Sequence, residues 1–440
     1  MTYRTRTVLF YILLVIFLVG GTGVVFYSQG WRIDFHTWTL EKVGALYLRT
    51  FPKDASLRLD GKPVKNGSGI LSEGTLANSL FPKTYTLDVS APGFVPWRQT
   101  LVVQPRQVTE RKYLVLVPET HMPLAGTSST QAFWLLPDTT LIRKTTTNAL
   151  VAPQGSLPGT DVIAWSDNAR YVITRSATKD YVLTDIRRMV STPLPRTVRS
   201  KFSLRSNAVS FVVTNEGNAL AYSSSTMALV DPISNTQDIP AAYATGTLAH
   251  VTYHAPTNTL AWTLDDPSPH TTQLLMATLM APFHTTSIVL PAPVVQMAWT
   301  DDTHIAVLDA RGSLLLYDTE ANQLIEIAHS LRGLFAWSPV NDAVAVRGDG
   351  YIEIIPRSST RDGLTIPLVD ADRITSLVWF SDMHHLLAFY PDRVDLIETD
   401  PGAEQTIRTV FDNSNAVYDA QSDILYGLHA GALDTVPFPH

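Results

Sequence analysis

Four short apolar runs alternate with polar turns between residues 295 and 327. They are Val295-Gln296-Met297-Ala298-Trp299, His304-Ile305-Ala306-Val307-Leu308, Ser313-Leu314-Leu315-Leu316-Tyr317 and Gln323-Leu324-Ile325-Glu326-Ile327. Asp301-Asp302, Ala310-Arg311-Gly312 and Glu320-Ala321-Asn322 punctuate them. Runs of this length, rich in β-branched and large residues and bounded by turn formers, predict a four-stranded meander. The pattern recurs. Aromatic or branched anchors at Trp134, Trp165, Val212, Tyr253, Trp299, Trp337, Trp379 and Tyr418 are 31 to 47 residues apart, about 41 on average, the period of a propeller blade. An apolar second run follows most anchors, as at Tyr171-Val172-Ile173, Ala219-Leu220-Ala221, Val344-Ala345-Val346 and Leu386-Leu387-Ala388. Third runs end in Asp185, Asp231 and Asp318.

Eight anchors predict eight blades over 121–440, with seven as the alternative because the first interval is short. The last anchor leaves room for about three strands. A fourth, from Tyr113–Val117 or the run near Phe133, would close the ring and remove its open edges. The anchor aromatics are expected to be buried core.

The N-terminus has another pattern. Residues 8–27 carry no charge, and 20 residues at about 1.5 Å each span the ~30 Å hydrocarbon core of a bilayer. Arg4 and Arg6 precede the run without an acid, which predicts that residues 1–7 stay in the cytoplasm and the remainder lies across the membrane. A cleaved signal peptide ending near Gly21-Thr22-Gly23 is the competing reading, against which the apolar run continues to Tyr27. Residues 28–44 link this helix to the next module. There Trp31-Arg32-Ile33-Asp34 alternates with period two, as a strand does, and Tyr27 and Trp31 fall where interfacial aromatics belong.

Residues 45–117 hold five or six short strand patterns, which imply a small β-sandwich. Asp60-Gly61 supplies a hairpin turn between two of them. Three segments carry a resemblance: Thr50-Phe51-Pro52-Lys53-Asp54-Ala55, Leu59-Asp60-Gly61-Lys62-Pro63-Val64, and the run from Tyr85 through Gly93-Phe94-Val95-Pro96-Trp97. They resemble the PEGA domain family. The chain departs from that family's pattern at Asp54 and at Lys83-Thr84, both expected in turns. The resemblance implies a β-sandwich spacer or adhesion module on exported prokaryotic proteins, without catalysis. Phe94 and Trp97 are expected to fold onto the sandwich edge rather than to stack sugars. In the repeat, Trp165-Ser166-Asp167-Asn168, Trp337-Ser338-Pro339 and Phe380-Ser381-Asp382 resemble the Trp-Ser-Pro-Asp-Gly phrases of TolB-like and WD40-like propellers, with the glycine missing in every copy.

Composition narrows the classes. Among 440 residues there is no cysteine, which excludes disulfides and thiolate chemistry. The net charge of −7 argues against nucleic acid as a partner. Beyond Arg4 and Arg6, 31 basic residues face 40 acidic ones, so anionic headgroups repel this part, and a protein or neutral glycan is the expected partner.

Each candidate for chemistry reads as structure. Arg347-Gly348-Asp349 falls between two strand runs and is a hairpin turn. His384-His385 lacks a ligand-spaced partner and is expected to be exposed in a turn. Asp265-Asp266 and Asp301-Asp302 are expected in turns. Gly67-Ser68-Gly69 lacks the strand–turn–helix context of a nucleophile elbow. No catalytic, cofactor or metal residue is nominated, and ligand-binding residues stay unassigned. The chain reads as all-β with one N-terminal transmembrane helix, a small β-sandwich and a seven- or eight-bladed β-propeller. It is expected in a bacterial cytoplasmic membrane, single-pass with the N-terminus inside, as a non-enzymatic binding or scaffolding protein. A propeller-based hydrolase or lyase and a surface-layer spacer are the alternatives.

Overall fold

The structure is a computed structural model. It describes the chain except residues 1–2, 35–37, 66, 68–73, 196–197, 199–208, 225, 232–234, 239–246, 267–270, 280–284, 330, 332, 339–342, 357–362, 401–404, 414 and 440. It divides into two compact units. One holds Met1–His121 with the last residues from Pro437, and the other holds Met122–Pro401 and Gln405–Val436.

The first unit begins with α1, Tyr3–Ser28. Within it Val8–Ser28 is apolar over 21 residues, and none of it is covered by protein. Gly20, Gly21 and Gly23 would weaken a helix in water but are common in lipid-facing ones. Two strands come next, β1 (Trp31–Asp34) and β2 (Thr39–Lys42), paired as a hairpin that forms a sheet by itself. The period-two reading of residues 31–34 is therefore correct.

Seven further strands make two sheets: β3 (Gly44–Phe51), β4 (Ser56–Leu59), β5 (Lys62–Val64), β6 (Thr75–Leu80), β7 (Lys83–Ser90), β8 (Trp97–Val103) and β9 (Val108–Val115). Their orders are β5-β4-β7-β8 and β6-β3-β9, with β3 and β9 parallel. Leu46, Leu48, Leu57, Leu87, Trp97, Leu101 and Leu114 fill one shared core. Asp60 and Gly61 both take positive φ, 48° and 74°, which lets β4 turn tightly into β5. Gly44 admits no side chain, because a Cβ there would lie 2.3 Å from the Gln104 carbonyl oxygen. Trp97 is buried and Phe94 packs against the same core, as expected. Lys83 and Thr84 open β7 rather than sitting in a turn, and the polar strand β6 had no apolar alternation to announce it.

The second unit is a succession of eight four-stranded antiparallel sheets among the described residues. Seven run through 130–157, 161–193, 210–238, 247–290, 294–328, 335–367 and 376–411. The eighth joins the three strands of 416–437 to β10, Met122–Pro123. In each sheet the strands are called a to d in sheet order. All eight anchors lie in a strands, one per sheet. Neighbouring a strands run side by side, as Asp161–Trp165 does with Ser210–Val213 and Val294–Trp299 with Thr247–His254. The a strand of the first sheet, Thr130–Leu135, lies against the a strand of the eighth, Ala416–Asp419, so the succession returns to its start.

The closing strand is β10, a correction to the expectation. Tyr113–Val115 belongs to β9 in the first unit, and Phe133 lies in the a strand of sheet one. Two hydrogen bonds extend the closure: the Leu124 amide donates to the Leu433 carbonyl at 2.8 Å, and the Leu433 amide to the Thr127 side-chain Oγ1 at 3.0 Å. The anchors are a second correction. Trp379 and Tyr418 are buried, but Trp134, Trp165, Trp299 and Trp337 are only half-buried. Deepest burial falls on the b strands, which have a neighbouring sheet on each face. Ile305 and Val307 pack toward sheet four, while the alternate Ala306 and Leu308 pack toward sheet six.

Candidate functional site

The described a–b turns meet from sheet to sheet at one end of the second unit. Several of them are built from short polar residues that satisfy the turn's own backbone. In sheet one Asp138 accepts from the Thr140 amide at 3.0 Å. In sheet two Ser166 Oγ donates to Asn168 Oδ1 at 2.7 Å, and the Asn168 amide reaches Asn215 of sheet three at 3.0 Å. Gly217 of that third turn has φ of 93°, and a Cβ on it would lie 2.8 Å from the Tyr171 ring. In sheet eight Gln421 donates to the Pro137 carbonyl of sheet one at 3.0 Å, and the Ser381 amide of sheet seven donates to the Tyr418 hydroxyl at 3.1 Å. The turns thus interlock from sheet to sheet.

Acids dominate the a–b turns, while Arg187 and Arg188 stand exposed in the c–d turn of sheet two at the same end. Asp138, Asp167, Glu216, Asp301, Asp302, Asp382 and Asp423 lie in the described a–b turns, where Arg170 is the one Lys or Arg, and Asp419 ends the strand before the last of these turns. Several are spent on structure. Asp301 binds the Thr303 amide and His304 Nδ1, both at 2.8 Å. Asp382 receives the His384 and His385 amides on one oxygen and His385 Nδ1 on the other, the last at 2.7 Å. Arg170 pairs with Asp185 at 2.8 Å. Tyr418 donates to Asp423, and Ser422 to Asp419.

Asp167, Glu216 and Asp302 remain exposed at the surface. Asp302 stands 3.5 Å from His254 Nε2, and the His254 ring lies over Trp299 with centroids 4.8 Å apart. Asp167 is open to solvent by area, yet neighbouring turns crowd it. That crowding raises its carboxyl above the usual range, with the His254 charge opposing. Tyr253 beside it is pushed up to about 12 by burial and by the Glu216 and Asp167 charges. Sheets two to five therefore share one electrostatic neighbourhood, acidic at its rim with an imidazole stacked on an indole.

Asp301-Asp302 are in a turn as expected. Asp265-Asp266 instead end the strand Thr259–Asp266, where Asp265 accepts from Thr272 Oγ1 at 2.7 Å. His385 is buried, not exposed: it opens the b strand His385–Phe389, and the Asp382 charge holds it there. His384 pairs with Asp400 at 2.9 Å. Arg347-Gly348-Asp349 spans a strand end and turn, closed by the Gly348 amide on the Tyr351 carbonyl at 2.8 Å, and the Arg347 guanidinium donates to the Ile374 carbonyl at 2.6 Å. Ser68 and Gly69 lie outside the described residues. Among those residues no group of three metal-ligating side chains converges. The Asp–His pairs were the missed feature. Asp301-x-x-His304 and Asp382-x-x-His385 occupy the same place two repeats apart, a spacing visible in the sequence.

The opposite end has a cleft of about 500 Å³ in sheet five and the connection to sheet six, lined by Val295, Asp309, Arg311, Gly312, Leu331 and Gly333. Asp309 Oδ1 receives the Arg311 and Ser313 amides at 2.9 and 2.8 Å. The hydroxyls of Thr145 and Ser176 receive an amide in the matching b–c turns, so Asp309 is first a turn residue.

No family model matches the chain, and no curated protein matches it. Among solved structures it is similar to PorZ, a bacterial surface component of the type-IX secretion system of Porphyromonas gingivalis, at 13% identity and a TM-score of 0.40. That alignment covers 70% of this chain and 42% of PorZ. It is also similar to the β-propeller domain of Swd1 from Myceliophteria thermophila, at 13% identity and 0.40, covering 64% and 97%. An oligogalacturonate lyase in complex with manganese matches at 11% and 0.46, covering 73% and 98%.

Proposed function

We propose that this chain is a membrane-anchored binding protein of a bacterial cell envelope. On this reading Val8–Ser28 crosses the cytoplasmic membrane with residues 1–7 inside. Residues 45–117 form a PEGA-like sandwich, and the eight sheets are the blades of an eight-bladed propeller, both outside the cytoplasm. The end bearing the a–b turns is the binding face, and it takes a protein partner with a basic surface.

The observation that carries this reading is the charge of the a–b turns. Acids outnumber Lys and Arg seven to one in the described a–b turns, and Asp167, Glu216 and Asp302 face solvent around the His254–Trp299 pair. A cluster of charges of one sign steers an oppositely charged partner and raises its association rate. The anchor reading is supported by an apolar helix of bilayer length with no protein cover.

Two measurements test it. Protease added to intact spheroplasts is expected to digest the chain beyond Ser28, and full protection would overturn the topology. The soluble fragment from Ala45 to His440, incubated with envelope extract, is expected to retain one partner chemically unchanged. The combined Glu216→Gln and Asp302→Asn variant is expected to slow association several-fold with little change in dissociation. Turnover of a glycan or peptide in proportion to pure protein would instead support an enzyme.

A further inference from the structure

The hairpin β1–β2 has an open face that the rest of the described chain does not cover. Residues directly opposite in an antiparallel pair share a face, and the register pairs Trp31 with Lys42 and Ile33 with Leu40. Trp31, Ile33, Leu40 and, at the open end, Lys42 therefore line one side. Arg32, Asp34, Thr39 and Glu41 line the other. Ile33 and Leu40 are 50% and 47% exposed, and Trp38 at the turn is 80% exposed.

A two-stranded hairpin is marginal in water unless something covers its apolar face. This one forms a sheet of its own, unlike every other strand pair among the described residues. Its position says what covers it. Gly30, with φ of 82°, turns the chain straight from the apolar helix into β1. The junction is tied by rings and cations rather than left slack. Phe26 meets Trp31 edge-on at 6.1 Å, and the Arg32 guanidinium lies 3.5 Å from the Tyr27 ring centre and donates to the Tyr27 carbonyl at 2.9 Å. Lys42 sits 4.7 Å from the Trp31 ring centre. Aromatic rings flanked by Arg and Lys, at the end of a bilayer-length helix, are the side chains that partition to the headgroup zone.

We propose that the β1–β2 hairpin lies in the outer headgroup layer of the bilayer, with Ile33, Leu40 and Trp38 facing the acyl chains, Arg32 on the opposite face toward phosphate, and Lys42 at the end of the apolar face extending its ammonium up to phosphate. The inference rests on the anchor reading above and adds a second contact to it. A helix alone leaves the chain free to swivel about its axis. A hairpin laid flat in the interface stops that swivel and fixes the direction in which Gly44 enters β3.

The chain has no cysteine, so single labels report without background. The full chain carrying Ile16→Cys, Ile33→Cys, Asp34→Cys, Leu40→Cys, Glu41→Cys or Thr100→Cys is labelled with an environment-sensitive fluorophore. It is placed in vesicles of zwitterionic and anionic phospholipid bearing quenchers at headgroup or mid-chain depth. Mid-chain quenching at 16, headgroup-depth quenching at 33 and 40 at least about twofold above that at 34 and 41, and none at 100 support the proposal. Quenching at 16 with 33 and 40 as wet as 100 overturns it and leaves the anchor standing. No quenching at 16 overturns both. Should a label at 33 or 40 disturb the hairpin, Trp38→Cys reads the same depth from the turn. A water-exposed label there also overturns the proposal.

Discussion

Strands of the two units bury their side chains in different ways. In β8 every second residue is buried from Trp97 to Val103, and the residues between are exposed. β3 alternates likewise along Gly44–Phe51. The strands His385–Phe389 and Val394–Glu398 of sheet seven are buried at all positions. Both kinds obey the same period-two geometry. What differs is the number of covered faces. Each sheet of the first module has one core face and one wet face. A b strand in the second unit has a neighbouring sheet on both sides, so alternate residues serve alternate cores. Runs such as Ile305-Ala306-Val307-Leu308 are apolar throughout for this reason, with small residues where neighbours approach closely.

The largest expected effect tests that difference directly. Ala306→Asp places a charge in a site closed on both sides and is expected to cost more than about 4 kcal/mol. Val102→Asp, on the open face of β8, is expected to stay within about 0.5 kcal/mol of the parent. Denaturant midpoints of the two variants decide. A severe loss at Val102 would mean that the outer face of β8 is covered.

Next come aromatic truncations. Trp262 and Trp97 are each buried, and replacement by alanine is expected to cost about 3–5 kcal/mol. Each loss should appear in the unfolding of its own unit, read calorimetrically as one shifted transition and one unchanged. Trp262→Phe is expected to cost less than half as much as Trp262→Ala, because the indole Nε1 has no hydrogen-bond partner among the described residues to lose. Trp299→Ala, at a half-buried anchor, should fall below both truncations.

A smaller effect is tied to pH. Asp382 and His385 form a buried pair in sheet seven, and removing one partner with Asp382→Asn is expected to cost about 3 kcal/mol. Burial alone would raise Asp382, but the His385 charge and the backbone amides hold it below its ordinary 3.8. Burial alone would lower His385, but Asp382, with Glu398 and Asp400 behind it, holds it above 6.5. The pair's contribution is thus full between about 3.8 and 6.5. It is lost as pH falls through the depressed carboxyl, and lost again as pH rises through the elevated imidazole. His385→Gln is expected to flatten the alkaline arm of a stability–pH profile. An arm unchanged in that variant would assign it to another group.

The smallest effect is at the rim of the a–b turns. Asp167 has a raised carboxyl, so the folded state favours its protonated form and loses stability as pH rises through that value. Asp167→Asn should leave stability below pH 3.8 unchanged and raise it slightly at neutral pH. Melting at the two pH values checks the sign.

The apolar helix, the repeat of about 41 residues, the eight a strands at eight anchors and the turn chemistry between them were all legible in the residues alone. These are local properties, written in apolar runs and in Asp, Asn and Gly at turns. The strand that closes the last sheet was not legible, because β10 is two residues long and pairs with a strand more than 300 residues away. Nor was the rule that b-strand residues, not the a-strand aromatics, take the deepest positions, since burial on two faces depends on what stands on each side. The burial of His385 belongs with these. A histidine after a turn reads as exposed until a carboxylate is found 2.7 Å away to hold its charge, with sheet packing around both.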